Sequence, residues 1–280
     1  MIAEEEDKRF WFNRQRTSFS TNVPGLAPAV EPVSLALPLI GGDARFAPIV
    51  RTLSAMRVYS VNPASLKEMH EPDGGEVLRS DGSNAASVLL EIEGRSPEEL
   101  ARIHELLAAI VPAVRSVRAL QHGNKFSLIL RQEWGEGKRL KSEAFNISDG
   151  TLRALGLVLA VYQKSTPSVL VIEEPEATIH PSALGVVLDV LRNATRKMQV
   201  IVTTHSPDVL DAKWIQDSNL RVVSWRDGAT TIGNISNSSR EALRRHLMLA
   251  GELLRSNALD AAVLPQGITT PPSSLFQELT

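Results

Sequence analysis

Three stretches decide the fold: Ala144-Phe145-Asn146-Ile147-Ser148-Asp149-Gly150-Thr151, Ser168-Val169-Leu170-Val171-Ile172-Glu173-Glu174-Pro175-Glu176, and Gln199-Val200-Ile201-Val202-Thr203-Thr204-His205-Ser206. With the segments between them they alternate helix, strand, helix, strand. Val169 to Ile172 is a continuous apolar run, as expected of a strand buried on both faces. It stops at two carboxylates. In an open parallel sheet, ligands lie outside the carboxyl ends of the strands. Glu173 and Glu174 are thus placed for a metal and a water. Val200 to Thr204 has the same character and leads to His205. Neighbouring strands ending in Glu-Glu and in His describe a hydrolytic site better than a core.

The flanking helices add to this. Leu152, Leu155, Leu159 and Tyr162 form one stripe, so that helix begins near Ser148. A helix start offers free N–H groups and the positive end of the dipole, which suit a phosphate. Gly150 lets another group approach the backbone closely. Taken alone, Ser148 would be an ordinary helix cap. His180-Pro181 opens a second helix with the stripe Leu184, Val187, Leu188 and Leu191, and His180 reads equally as a cap or as a contact to a partner subunit. His205 precedes Ser206-Pro207, another helix start. No Gly-x-Ser-x-Gly and no His-rich metal spacing occurs.

The order and separation of these three stretches resemble the second half of an ABC-type ATPase head, in the branch of the RecF, SMC and OLD-like ATPases of DNA repair and phage defence. The resemblance covers about residues 144 to 225 well, and Asn62 to Leu90 more loosely. It implies an α/β, RecA-like lobe with a mostly parallel sheet flanked by helices, and an α+β arm or lid. It implies ATP and Mg²⁺ as cofactors. Asn146, Ser148, Asp149 and Gly150 match the signature loop, which in the family binds the γ-phosphate held by the opposite subunit. The usual Ser-Gly-Gly is here Ser-Asp-Gly-Thr. Glu173 takes the place of the usual Asp that reaches magnesium through water. Glu174 takes that of the water-polarising base, and His205 that of the switch histidine. The implied partners are a second copy, closing head to head around ATP, and DNA or a nuclease. The alternative is a catalytically inactive, ATPase-like interaction module. No Gly-x-x-x-x-Gly-Lys-Ser/Thr occurs in the chain, so the phosphate-cradling loop is expected on a missing first lobe, and the chain by itself is expected to hydrolyse ATP poorly or not at all.

Composition sets the outer bounds. The 280 residues carry 30 basic and 32 acidic side chains, a net charge of −2, which gives no global case for nucleic acid. There is no cysteine, so disulfides and thiolate metal sites are excluded. No apolar run reaches membrane-spanning length, and the expectation is a cytoplasmic protein with no membrane association.

Outward from the centre, four segments are expected: 1–57 as a remnant of an N-terminal lobe and linker, 58–143 as an arm or lid, 144–256 as the ATPase lobe, and 257–280 as a tail. Phe10, Trp11, Phe12, Arg14, Arg16 and Phe19 read first as an edge piece of a larger domain, and otherwise as an amphipathic strand pair or an arm for a partner. Pro and Gly between 22 and 48 mark a loop, with a helical turn within Val33 to Ile40. Val58-Tyr59 reads as a short strand and Asn62-Pro63 as a turn. Asp81-Gly82-Ser83-Asn84 leads into a helix over Ala85 to Glu91. Ser96-Pro97-Glu98-Glu99 is a capping box opening a helix with Leu100, Ile103, Leu107 and Ile110 on one face. Phe126 to Trp134 and Arg139 to Phe145 predict a hairpin across Gly135 and Gly137. Leu220 to Trp225 and Thr230 to Ile235 predict another across Asp227-Gly228. Leu243, Leu247, Ala250 and Leu254 predict one last amphipathic helix. Residues 264 to 280 read as irregular. Arginines near 192–197 and 240–245 read as solvated faces.

Overall fold

Proline stands at the first position of four helices, after Asn62, Ser96, His180 and Ser206. Its fixed φ suits a helix start, and its missing N–H is one the first turn could not have used. Asn62, Ser96 and His180 each accept a backbone N–H from the turn they open. The computed structural model describes residues 2–5, 8–226 and 228–262. Asp227 and the tail from 264 onward lie outside the described residues. The chain divides into two compact units, Met1–Thr203 and Thr204–Thr280.

The first unit begins with β1 (Ile2–Glu5), β2 (Lys8–Gln15) and β3 (Ser18–Thr21), an antiparallel meander of three strands where the sequence suggested a pair. Phe12 stacks on Phe19 and meets Phe46 edge-on. With Val23 and Ile40 these rings make a small separate core, closed by α1 (Ala36–Ile40) and α2 (Ala47–Ser54). Next come β4 (Arg57–Tyr59), α3 (Pro63–Lys67), α4 (Ala85–Arg95) and α5 (Pro97–Ile110). Asn62-Pro63 is thus a helix start instead of a bare turn, and α4 runs one turn past Glu91. An antiparallel sheet follows, β5 (Val114–His122), β6 (Lys125–Trp134) and β7 (Lys138–Glu143). Its second turn holds Gly135 and Gly137, both at positive φ.

The α/β half of the unit is built from α6 (Asp149–Tyr162), β8 (Val169–Glu173), α7 (Pro181–Ala194) and β9 (Gln199–Thr203). Strands β4, β8 and β9 lie side by side in that order, all parallel. The fold is therefore α/β, with a parallel sheet flanked by helices. Every residue of α6 from Thr151 to Ala160 is buried, because α3, α4, α5 and α7 all pack around it. A buried polar cluster joins sheet and helices. Gln163 accepts from the Leu78 N–H (2.8 Å) and donates to the Ala160 carbonyl and the Tyr59 hydroxyl.

One expectation fails here. The strands were to be buried on both faces, yet the sheet is covered on one. Tyr59, Leu170 and Ile172 face the helices and are almost fully buried. Val58, Val171 and Ile201, aligned across the sheet by register, face the other way. Val58 is 52% exposed and Ile201 is 43% exposed. An apolar run records only that both faces repel water; it does not record which segment covers each.

The second unit holds α8 (Pro207–Leu210), the hairpin β10 (Arg221–Arg226) and β11 (Ala229–Asn234), α9 (Asn237–Arg244) and α10 (Ala250–Arg255). The single last helix expected from Leu243 to Leu254 is in fact two. His246 adopts a left-handed φ of 54° and the Leu247 N–H turns back to the Ala242 carbonyl, which ends α9. The Glu252 carboxylate then caps the Leu249 N–H and starts α10.

Candidate functional site

Ser148 caps α6. Its hydroxyl accepts from the Thr151 N–H (3.3 Å) and lies 2.7 Å from the Thr151 hydroxyl. Asp149 follows at the surface and pairs with Lys67, Nζ to Oδ1 2.6 Å, so the acid is already engaged by a cation from the end of α3. Asn146 and Phe145 sit on a short 3₁₀ turn before the cap; both are exposed, Phe145 by 79%. An exposed phenylalanine beside a helix N-terminus gives this lip an apolar edge as well as free N–H groups.

Gly150 serves a neighbour within the chain. A Cβ there would stand 2.5 Å from the Thr178 carbonyl oxygen, closer than such atoms can approach. The glycine lets the loop after β8 lie directly on the start of α6. That loop is tightly wound. Glu174 has φ 44° and Thr178 has φ 63°, both left-handed and both lacking glycine's freedom. Such a conformation persists only where its surroundings over-determine it. The Glu174 N–H donates to the Thr203 carbonyl (2.9 Å), and its own carbonyl accepts from Ala177 N–H (3.0 Å).

A second donor to that carbonyl was not foreseen. Arg153, one turn into α6, is 92% buried, with relative exposure of 8%. Its guanidinium donates to the Val61 carbonyl beyond β4, and to the carbonyls of Glu173 (3.0 Å) and Glu174 (2.9 Å). Burial lowers its pKa from the ordinary value, against the charges of Glu174 and Glu176. The signal in the sequence was a lone arginine, Leu-Arg-Ala-Leu, inside an apolar helix. Periodicity could place it on α6 but not name the strand ends it reaches.

Arg153 thus fixes the backbone at which β8 ends, and from which the two carboxylates project. Glu173 and Glu174 are both exposed. Glu173 lies in register with Thr203 of β9. Among the described residues no group of three or more His, Asp or Glu side chains forms a metal cage. Two exposed carboxylates suit Mg²⁺, a hard ion that keeps several waters and takes one or two carboxylates together with substrate phosphates. His205 belongs to the second unit, where it is exposed just before Ser206, the start of α8. His180 is a cap: its Nδ1 accepts from the Ser182 N–H (3.3 Å) and lies 2.8 Å from the Ser182 hydroxyl.

The Asp81-Gly82-Ser83-Asn84 element holds together the loop between α3 and α4. Asn84 is buried; its amide donates to Asp73 and to the Val77 carbonyl and accepts from the Arg79 N–H. Burial raises the Asp81 pKa, but hydrogen bonds from Ser83 and Ser65 outweigh it and hold the carboxyl below its ordinary value. Gly82, at φ 83°, clears the Leu66 side chain of α3.

Comparison with known proteins adds the following. The 34% identity to the phosphate import ATP-binding protein PstB of Ehrlichia ruminantium, in the strains Gardel and Welgevonden, runs over 74 residues, 26% of this chain. It spans 28% of the relatives' length. Among solved structures, one reported for ATP-driven dimerization and DNA-stimulated activation of SMC ATPases has a TM-score of 0.41 at 17% identity, covering 56% of this chain and 95% of that one. The Smc head domain of Pyrococcus yayanosii has a TM-score of 0.39 at 17% identity, covering 56% and 31%. No helix among the described residues is long and apolar enough to cross a membrane. The family model described as "AAA domain, putative AbiEii toxin, Type IV TA system" matches residues 60–211, more than half of the chain. With that match, the chain belongs to this family of AAA-type ATPase domains.

Proposed function

We propose that this chain supplies one part of a composite ATP site: the signature lip, the metal-binding acid and the hydrolytic base. In this reading Glu173 holds Mg²⁺ through water, and Glu174 positions the attacking water. Ser148, Asp149, Gly150 and Asn146 meet the γ-phosphate bound by a second copy, and His205 bonds that phosphate or the water. The complete assembly closes head to head around ATP and acts on DNA or on a partner nuclease.

The observation that carries this reading is the end of β8. Two exposed carboxylates leave the carboxyl edge of a parallel sheet, at a left-handed turn held by Arg153 and Thr203. Strain of this kind gathers at working sites. A second observation supports a further lobe. Parallel sheets are covered on both faces in almost all cases, and here Val58, Val171 and Ile201 leave one face open. The exposed lip at Phe145 and Asn146 fits closure against a second copy.

Isothermal titration with Mg·ATP tests the first half of the reading. Because no phosphate-cradling Lys loop occurs in the chain, the chain alone should bind ATP weakly and turn over negligibly. Micromolar affinity for the isolated chain would sink that expectation. In an assembly that includes the missing loop, Glu174→Gln should retain ATP and accumulate a closed dimer on size exclusion, since the amide removes the base and leaves Glu173. A variant that binds ATP yet stays monomeric would count against closure.

A further inference from the structure

The chain as a whole is slightly acidic, but its charge is unevenly spread. Residues 114–143 carry seven basic side chains (Arg115, Arg118, Lys125, Arg131, Lys138, Arg139, Lys141) and three acidic ones (Glu133, Glu136, Glu143). That is 7 − 3 = +4 within a chain of −2, so the remaining residues sum to −6. These residues form the antiparallel sheet β5–β6–β7, and the pleat sorts them by face. Leu128 and Leu130 of β6 point to α4 and α5 with Val117, and are buried. The odd-numbered positions of β6 point the other way. Across that face, register aligns Arg118, Ile129 and Glu143 in one row, and Ser116, Arg131 and Lys141 in the next. Glu133 and Arg139 follow, with Arg115 at a bulge beside them.

Arg131 and Lys141 are the key pair. They stand directly opposite on adjacent strands, are both exposed, and form no ion pair with any described residue. Like charges in that position destabilise a sheet, so folding alone gives no reason for them. The neighbouring acid is already shared: Glu133 lies 3.5 Å from Arg139 and 3.9 Å from Arg115. Arg118 reaches only Glu93 of α4, at 3.8 Å. The exposed face therefore presents five cations against two carboxylates.

We infer that this face of the β5–β6–β7 sheet binds the phosphate backbone of duplex nucleic acid, with Arg131 and Lys141 at its centre. Duplex is favoured over single strand by what the face lacks. Single strands are held by bases stacked on aromatic rings, and the sheet's aromatics, Phe126 and Trp134, occupy the even-numbered positions of β6, on the other face. An acidic polypeptide would need apolar anchors, and the only large aliphatic side chain in the three rows is Ile129, half-buried. Guanidinium and ammonium groups without base-reading partners predict binding that is strong at low salt and indifferent to sequence. The inference develops the nucleic-acid part of the proposed function and is independent of the ATP site.

The test is fluorescence anisotropy of the purified chain with a short labelled DNA duplex, without ATP, over a series of salt concentrations. Competitors are an RNA duplex of equal length and polyglutamate. The chain should bind at low salt and lose affinity steeply as salt rises. Arg131→Gln combined with Lys141→Gln should weaken binding at least tenfold and flatten the slope of log K on log salt by about 1.8, two phosphate contacts' worth. Lys141→Glu should also abolish binding while leaving the melting temperature unchanged or raised, because it turns the like-charge pair into an opposite one. Arg192→Gln with Arg196→Gln, in the last turn of α7 and in the turn that follows it, should change neither. The RNA duplex should compete as well, because the phosphate backbone is common to both. Absence of binding at low salt, binding untouched by the double variant, or displacement by polyglutamate as effective as by duplex would each overturn the inference. Because ATP is absent throughout, failure here leaves the nucleotide reading standing, and failure of ATP-driven closure leaves this one standing.

Discussion

Arg153 bears the most weight of any single side chain. Its guanidinium satisfies three carbonyls that belong to two strand ends. Arg153→Met keeps the apolar stem but takes this donor from the Val61 and Glu173 carbonyls and leaves the Glu174 carbonyl with the Ala177 N–H, at about 1–3 kcal/mol for a buried unsatisfied group. The loss of unfolding free energy in urea should reach about 2–4 kcal/mol overall. A loss under about 0.5 kcal/mol would show that water replaces the clamp freely. Thr178 makes the opposite case. Its left-handed φ is costly for a β-branched residue, whereas asparagine visits that region readily. Thr178→Asn should therefore raise stability by about 0.5–1 kcal/mol, read as a higher urea midpoint at unchanged slope. Residue types at the site were legible in the sequence, because Glu-Glu after an apolar run and Ser before an apolar helix are patterns in one dimension. Arg153 and the Gly150–Thr178 contact were not. Each joins residues whose proximity exists only once α6 lies against the end of β8.

Elements were legible where capping chemistry and periodicity agreed. Ser96 and His180 open α5 and α7 as the sequence implied, and both glycine hairpin turns fall between the strands they join. The strand β5 went unread, since the bulge at Arg115 breaks its alternation and sets the buried Val114 and Val117 three residues apart. The break at His246 went unread too, since a heptad-like stripe carries no mark of a single left-handed residue. His70 illustrates a link between elements with a measurable consequence. Its backbone exchanges two hydrogen bonds with Phe126 of β6, and its Nε2 lies 3.0 Å from the Ser87 hydroxyl of α4. Burial lowers its pKa from the ordinary value, with Asp73 opposing and Arg79 assisting. The unfolded chain therefore takes up the proton first as pH falls. The stability this group contributes is intact above about pH 6.5 and is lost as the medium acidifies through the lower folded value. Thermal melts should show a decline as the pH falls below about 6.5 that His70→Gln makes shallower. Parallel curves for the two proteins would assign the decline to other groups.

At the scale of the molecule, the uncovered face of the β4–β8–β9 sheet should govern behaviour in solution. Val58, Val171 and Ile201 form an apolar row ending on an edge strand, an arrangement that favours association. Sedimentation velocity should show the chain associating as its concentration rises. Ile201→Lys should suppress this with little change in melting temperature, since Ile201 is already 43% exposed. A chain that remains monodisperse without the substitution would show that the row is not adhesive. The sequence disclosed the class of fold, through its alternation of helix and strand. The coverage of each face could not be read from it, because apolarity is a property of a strand and coverage is a relation between segments. The packing of Gly150 on Thr178, together with the Arg153 clamp, has one more consequence, a mechanical one. The head of α6 and the tip of β8 are braced like two members of a truss, joined at two nodes a turn apart. Movement of the carboxylate-bearing turn relative to the start of α6 would have to break these contacts. A hinge that serves this site is therefore to be sought away from these two braced points.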